Sequence, residues 1–142
     1  MTIFNVNKND SRVKVSDIVN ELTNFGQVEI RNLPSEIGLK RKDLVFVPKD
    51  GPRSGEIHII MTEFGKIGSY LNGLDFNVLM RDIIQINENN SNQKLRLAYA
   101  TNLSVRPEMS MQFAMKNVKI FSNIYDVDQL KWSILEWVTY KS

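Results

Sequence analysis

The fold is decided by residues 43–61, which read DLVFVPKDGPRSGEIHIIM. Apolar and β-branched side chains occupy 44–47 and, apart from His58, 57–61, a composition that is typical of strands. Between these runs, 48–55 holds two prolines and two glycines among other turn-forming residues. The segment therefore predicts a β-hairpin over 43–61 with a basic, glycine-rich tip.

Amphipathic patterns at both ends of the chain predict helices. Ser16 has the character of an N-cap, apolar residues then recur at helical spacing, and Gly26 is a natural stop, so we expect a short helix at 16–25. A C-terminal helix is expected at about 126–140, capped by Asp126 or Asp128. Its apolar stripe includes Trp137, whereas Trp132 projects from the opposite side.

The rest of the chain favours strands. Alternating side chains predict strands at 2–6, 27–31, 76–86, 94–105 and 109–121, and a short helix is expected at 63–72. The overall expectation is a single α+β domain over 1–142, with a mostly antiparallel curved sheet and the C-terminal helix packed on it. A subdivision near residue 62 stays open.

Composition excludes several classes of site. The chain has 142 residues, no cysteine and one histidine, His58, so disulfides, thiolate chemistry and paired-histidine metal sites cannot form within it. No cofactor and no metal site is predicted. Apolar runs are too short to span a bilayer and the first residues lack a secretion signal, so we expect a cytoplasmic protein without a membrane partner.

Positive charge is concentrated in one part of the chain. The net charge is only +2, yet residues 38–53 carry five cations against two anions. Phosphate backbones attract such clusters, and a projecting hairpin can follow them. The predicted nucleic-acid-binding residues are Lys40, Arg41, Lys42, Lys49, Arg53 and Arg96. The competing interpretation is a solvated loop whose lysines protect an edge strand.

Residues 26–60 resemble the swapped-hairpin DNA-binding segment of AbrB-like transcription regulators. The resemblance rests on a glycine and strand at 26–30, a proline-containing turn, and the run GLKRKDLVFV at 38–47. Lys42 stands where that family has glycine, and the proline is displaced. The resemblance implies a dimeric β-rich module in which Lys40 and Arg41 contact DNA.

No catalytic motif is evident. His58 alternates with isoleucines on a strand, and carboxylates such as Glu63, Asp75 and Asp82 occur singly. The methionine row Met109, Met111 and Met115 is typical of sheet core, with an adaptable binding surface as the alternative.

Three hypotheses of function follow from these patterns. The first is a non-enzymatic nucleic-acid-binding protein, a small regulator or an accessory protein of a phage or mobile element, which uses the basic hairpin to bind DNA or RNA. The second is a protein-interaction module (an inhibitor, an adaptor or a homo-oligomeric structural component), with Trp132 as its anchor. The third is an enzyme of uncharacterised type.

Overall fold

The computed structural model describes residues 13–33, 41–90 and 94–140. The expected α+β class is confirmed. Within these residues the helices are α1 (Val15–Leu22), α2 (Gly73–Asn89), α3 (Pro107–Met115) and α4 (Val127–Thr139). The strands in the same residues are β1 (Gly26–Leu33), β2 (Arg41–Pro48), β3 (Ile57–Glu63), β4 (Leu95–Thr101) and β5 (Val118–Phe121). The strand predicted at 2–6 lies outside the described residues.

The strands form one open sheet in the order β1-β2-β3-β4-β5. The β1–β2 and β2–β3 pairs are antiparallel, whereas the β3–β4 and β4–β5 pairs are parallel. The sheet is thus mixed, where a mostly antiparallel one was expected. The physical reason is that α2 and α3 connect successive strands, and a helical crossover returns the chain to the same end of the sheet. Residue 62 lies inside β3, which pairs with both of its neighbours.

The hairpin over 43–61 is confirmed as β2 and β3. Its register places Asp43 opposite Met61 and Phe46 opposite His58. The connecting turn is closed by the amide of Gly55, which donates to the carbonyl of Pro48 at 2.9 Å. Gly51 and Gly55 both have positive φ, a conformation that glycine adopts without the strain of a Cβ atom.

The strand predicted at 76–86 is wrong, because this segment is helix α2. The Asn72 side chain caps it by accepting from the amide of Asp75 at 2.8 Å. Phe76, Leu79 and Ile83 are buried at a spacing of three and four residues, which is the helical period. The apparent alternation across 76–80 arises because Val78 and Met80 are only partly buried on the flanks of this stripe.

The strand predicted at 109–121 is also wrong, because it divides into α3 and the short strand β5. Pro107 occupies the first turn of α3, where its missing N–H costs nothing. Met109 and Phe113 are buried four residues apart, whereas Met111 and Met115 are exposed on the other side of the helix. The methionine row is therefore not a continuous core face.

The helix predicted at 63–72 is wrong as well, since 64–72 is a loop. The Asn102 side chain holds this loop by donating to the carbonyl of Gly65 and accepting from its amide, both at 2.9 Å. A parallel bridge between Tyr70 and Ser104 continues the pairing beyond the ends of β3 and β4. Backbone pairing to 102–104 thus replaces helical hydrogen bonds.

The two terminal helices are confirmed with small shifts. Helix α1 begins at Val15, with Lys14 rather than Ser16 at the N-cap position, and it ends at Leu22. Helix α4 is capped by the Asp126 side chain, which accepts from the amide of Gln129 at 2.8 Å. Trp137 is buried and Trp132 is 61% exposed, as the stripe predicts.

Helices cover both faces of the sheet. One face, here called face A, packs against α1 and α4 and includes Phe46, Ile60 and Ala98. The opposite face, face B, packs against α2 and α3 and includes Met61 and Tyr99. The result is three layers, in which alternate residues of each strand enter different cores.

Candidate functional site

Four carboxylates lie on face B toward the end of β3. Glu63 is the last residue of β3, and Asp43 lies near the start of the antiparallel neighbour β2. Helix α2 contributes Asp75 from its first turn and Asp82 two turns later. We call these four side chains, with Arg41 and Tyr99, the acid cluster. It lies at the carboxyl ends of the parallel strands, where α/β sheets commonly bind ligands.

Arg41 joins two members of the acid cluster. Its side chain is 6% exposed, and Nε lies 3.2 Å from Oδ1 of Asp43. Nη1 lies 2.8 Å from Oδ2 of Asp82. Nη2 is buried and has no hydrogen-bond partner among the described residues. The charge of Arg41 is thus committed to holding β2 against α2.

The environment of Glu63 disfavours the ionised form of its carboxyl. The Tyr99 hydroxyl donates to its Oε1 at 2.9 Å. Burial raises the pKa of Glu63, the Tyr99 hydrogen bond opposes that shift, and the nearby charge of Asp75 adds to it. Burial also raises the pKa of Tyr99 well above its ordinary value, so its hydroxyl stays protonated and remains a donor. A buried carboxyl with a raised pKa is the usual form of a general acid or base.

The neighbouring carboxylates share this environment. Burial raises the pKa of Asp43, although the Arg41 guanidinium lowers it, and the charge of Asp82 raises it again. Desolvation also raises the pKa of Asp75, against the hydrogen bond with Asn72. Two of the four acids thus pair with the buried Arg41, and the pKa of three of them (Asp43, Glu63 and Asp75) is raised.

The loops beyond the strand ends form a rim at the same end of the sheet. Tyr70 is 59% exposed, and the Arg106 guanidinium lies 5.5 Å from the centre of its ring. Lys66, from the same loop, is exposed. An exposed aromatic ring beside cations can bind a base and its phosphate.

Metal ligation is a separate question for an acid cluster. Across 13–33, 41–90 and 94–140, no group of three or more acidic or histidine side chains is arranged to hold a metal ion.

The predicted nucleic-acid-binding residues do not lie on one surface. Lys40 lies outside the described residues, Arg41 is buried in the acid cluster, and Lys42 is partly buried on β2. Lys49 is exposed at the hairpin tip, and Arg53 is paired with Glu56 at 3.3 Å. Arg96 lies at the start of β4, which is the end of the sheet away from Arg41.

Sequence reasoning missed the acid cluster because its members are far apart in the chain. Asp75 and Asp82 are seven residues apart, a spacing that places both on one side of a helix. Once 76–86 is read as a strand, that relation is lost. Recognition of Asn72 as the cap of a helix was the signal available for finding it.

Arg96 lies in a different environment, on face A. Its guanidinium stacks on the Trp137 ring, 4.4 Å from the centre, and Nη1 donates to the Trp137 carbonyl at 3.0 Å. Nη1 also lies 3.2 Å from Nε2 of His58. Since arginine only donates, Nε2 accepts, and the His58 proton resides on Nδ1, 3.1 Å from the carbonyl of Glu56. Burial, followed by the charge of Arg96, lowers the pKa of His58 to about 4.

We expect His58 to stay neutral in the folded protein down to about pH 4. The unfolded chain takes up this proton near pH 6.5, so His58 stabilises the fold above that pH, and the contribution is lost as pH falls toward 4. The loss is about 3 kcal/mol. Proton NMR measures this directly, because the chain has one histidine and its Cε1–H signal is unique. A midpoint near 6.5 in the folded protein, equal to that in urea, would contradict the assignment.

Comparisons with known proteins find similarity to solved structures. No protein-family model matches the chain, and no curated protein does. The structure is similar to EndoMS in its apo form (TM-score 0.48, 11% identity) and to a repair endonuclease from Pyrococcus abyssi (TM-score 0.44, 13% identity). Each match covers 80% of this chain, which spans 46% and 48% of the respective neighbours, about half of their length.

The first hypothesis of function, a non-enzymatic nucleic-acid-binding protein with a basic hairpin, is wrong. Arg41 is buried and paired with Asp43 and Asp82, and Arg53 is paired with Glu56, so two of the expected cations are neutralised within the fold. Among the described helices, none is long and apolar enough to cross a membrane.

Proposed function

We propose that the protein is a hydrolytic enzyme that cleaves phosphodiester bonds of nucleic acid, with the acid cluster as its catalytic centre. The observation that carries this proposal is the buried Glu63, which accepts a hydrogen bond from Tyr99 and has a pKa raised by burial and by the nearby charge of Asp75. Perturbed carboxyl groups gathered at one point of a fold are characteristic of active sites.

Glu63 is assigned the role of general base. It removes a proton from water, the water oxygen forms a bond to phosphorus, and the bond from phosphorus to the leaving sugar oxygen breaks. The leaving oxygen then takes up a proton, and we assign the carboxyl of Asp75 as the donor, because burial raises its pKa and so favours its protonated form. Tyr99 orients Glu63, and Arg41 positions Asp43 and Asp82 without contacting the substrate.

The rim supplies a reason to expect a nucleic-acid substrate. Lys66 and Arg106 provide positive charge, and Tyr70 provides an exposed ring for stacking. A protein substrate would not need this combination of cations and an aromatic face beside an acidic centre. The cleavage experiment distinguishes single-stranded DNA, duplex DNA and RNA as the substrate.

We expect Glu63→Gln to reduce cleavage at least a hundredfold, because a general base contributes about 10²- to 10⁴-fold. The amide keeps an oxygen that can accept from Tyr99, so the fold is retained. Cleavage is measured on labelled single-stranded DNA, duplex DNA and RNA, with and without Mg²⁺. The matched control is Glu29→Gln, whose side chain is exposed on β1 and should leave the rate unchanged.

Two results would overturn the proposal. One is the absence of cleavage of every substrate by the unaltered protein. The other is a Glu63→Gln variant that folds, by circular dichroism, and cleaves as fast as the Glu29→Gln control.

The pH profile of the cleavage rate gives a further prediction. The midpoint of its acidic limb should lie above the ordinary glutamate pKa of 4.5, because burial raises the pKa of Glu63.

A further inference from the structure

A basic cleft opens at the end of the sheet away from the acid cluster. Strand β5 pairs with β4 only over 97–100, so the start of β4 has no neighbour on that side among the described strands. The resulting cleft has a volume of about 640 Å³. Its polar lining residues, which define the basic cleft, are Asn87, Arg96, Lys116, Asn117 and Lys119.

The charge of the cleft has one sign. Three of its nine lining residues are cations and none is acidic. Lys116 and Lys119 are exposed, and the turn between α3 and β5 brings them to one wall. Among the described residues, no carboxylate lies within salt-bridge distance of Arg96, Lys116 or Lys119. Their charge is therefore available to a ligand.

The side chain of Arg96 is preorganised in the absence of a ligand. The stacking on Trp137 and the hydrogen bonds of Nη1 fix the plane of its guanidinium. Because the acceptors of Nη1 are a carbonyl and a neutral imidazole, they orient the guanidinium without cancelling its charge. His58 is thus a positioning residue for Arg96.

The cleft recognises charge rather than a base. Trp137 is only 7% exposed, with Arg96 over its face and the ring of His58 nearly perpendicular to it at 5.0 Å between ring centres, so it offers no free surface for stacking. Planar guanidinium and ammonium groups are the usual partners of phosphate oxygens. The volume suits a small ligand or a short stretch of a strand.

We infer that the basic cleft binds phosphate groups, carried either by a free nucleotide or by a nucleic-acid strand. This inference is independent of the proposed catalytic function, because the basic cleft shares no residue with the acid cluster. A Glu63→Gln variant should therefore bind as the unaltered protein does, even where it no longer cleaves.

The test is isothermal titration with inorganic pyrophosphate, ATP and an oligo-dT strand at low and high salt. Changing both Lys116 and Lys119 to glutamine should weaken binding by roughly tenfold or more, since each removes a charge-assisted contact. It should also reduce the salt dependence. The matched control is Lys49→Gln, an exposed lysine at the hairpin tip outside the cleft.

Each outcome decides the inference. Binding of pyrophosphate and ATP supports it with a free nucleotide as ligand, and binding of the strand alone supports it with nucleic acid as ligand. The inference is overturned if no probe binds at low salt. It is also overturned if the double lysine variant binds like the Lys49→Gln control.

Discussion

Replacing Arg41 with methionine should destabilise the fold by about 3–5 kcal/mol, because breaking a buried ion pair leaves charge without a partner. Asp43 would lose its contact at 3.2 Å and Asp82 its contact at 2.8 Å. Of the two, Asp43 is the more deeply buried and has the less access to water. Urea unfolding followed by circular dichroism measures the change in free energy.

The matched control for this prediction is Arg31→Met. Arg31 pairs with Glu29 at 3.0 Å, but both side chains are about 60% exposed, so the loss should be about 0–1 kcal/mol. Changing Asp43 to leucine in the Arg41→Met background should recover stability, since it removes the stranded carboxylate. Equal effects of Arg41→Met and Arg31→Met would contradict the described geometry.

The pH dependence of stability gives a second test of the role of Arg41. Without the guanidinium, Asp43 loses the interaction that lowers its pKa, and burial then raises that pKa further above its ordinary value. A carboxyl with a raised pKa destabilises the fold when ionised and ceases to do so when protonated. The deficit of Arg41→Met relative to the unaltered protein should therefore shrink as the pH falls.

The parts of the fold that the sequence predicts are those with local signals. The hairpin over 43–61 is marked by apolar runs and turn residues, and α4 by the Asp126 cap and a complete apolar stripe. Segments 76–86 and 109–121 mix the helical and the strand periods of apolar residues. In α2 some apolar side chains on the flanks are only partly buried, and in α3 Met111 and Met115 are apolar but exposed. For these segments tertiary packing decides between helix and strand.

The candidate site could not be predicted from the sequence, because tertiary packing also determines which of its residues become neighbours. Arg41, Glu63 and Asp82 become neighbours only through the register of β2 with β3 and the packing of α2 on face B. A charge count treats Arg41 as a free cation, yet the fold surrounds it with acids. The resemblance of 26–60 to AbrB-like regulators stays a prediction, and part of its turn lies outside the described residues.

Replacing Phe113 with alanine should destabilise the fold by about 3–5 kcal/mol, the usual range for removing a buried aromatic ring. Phe113 is fully buried, stacks on Tyr99 with ring centres 5.1 Å apart, and meets Phe76 edge-on at 5.4 Å. The alanine variant loses both ring contacts and leaves a cavity between α3 and face B. The midpoint of urea unfolding measures the loss.

Met115→Ala on the same helix is the control for Phe113→Ala, since Met115 is 77% exposed and its removal should change stability by no more than about 0.5 kcal/mol. Phe113→Leu keeps most of the volume and should cost less than about 1.5 kcal/mol. Because Phe113 packs against the ring whose hydroxyl donates to Glu63, the alanine variant should also cleave nucleic acid more slowly than the leucine variant when both are folded. A Phe113→Ala protein as stable as Met115→Ala would show that α3 does not pack on face B as described.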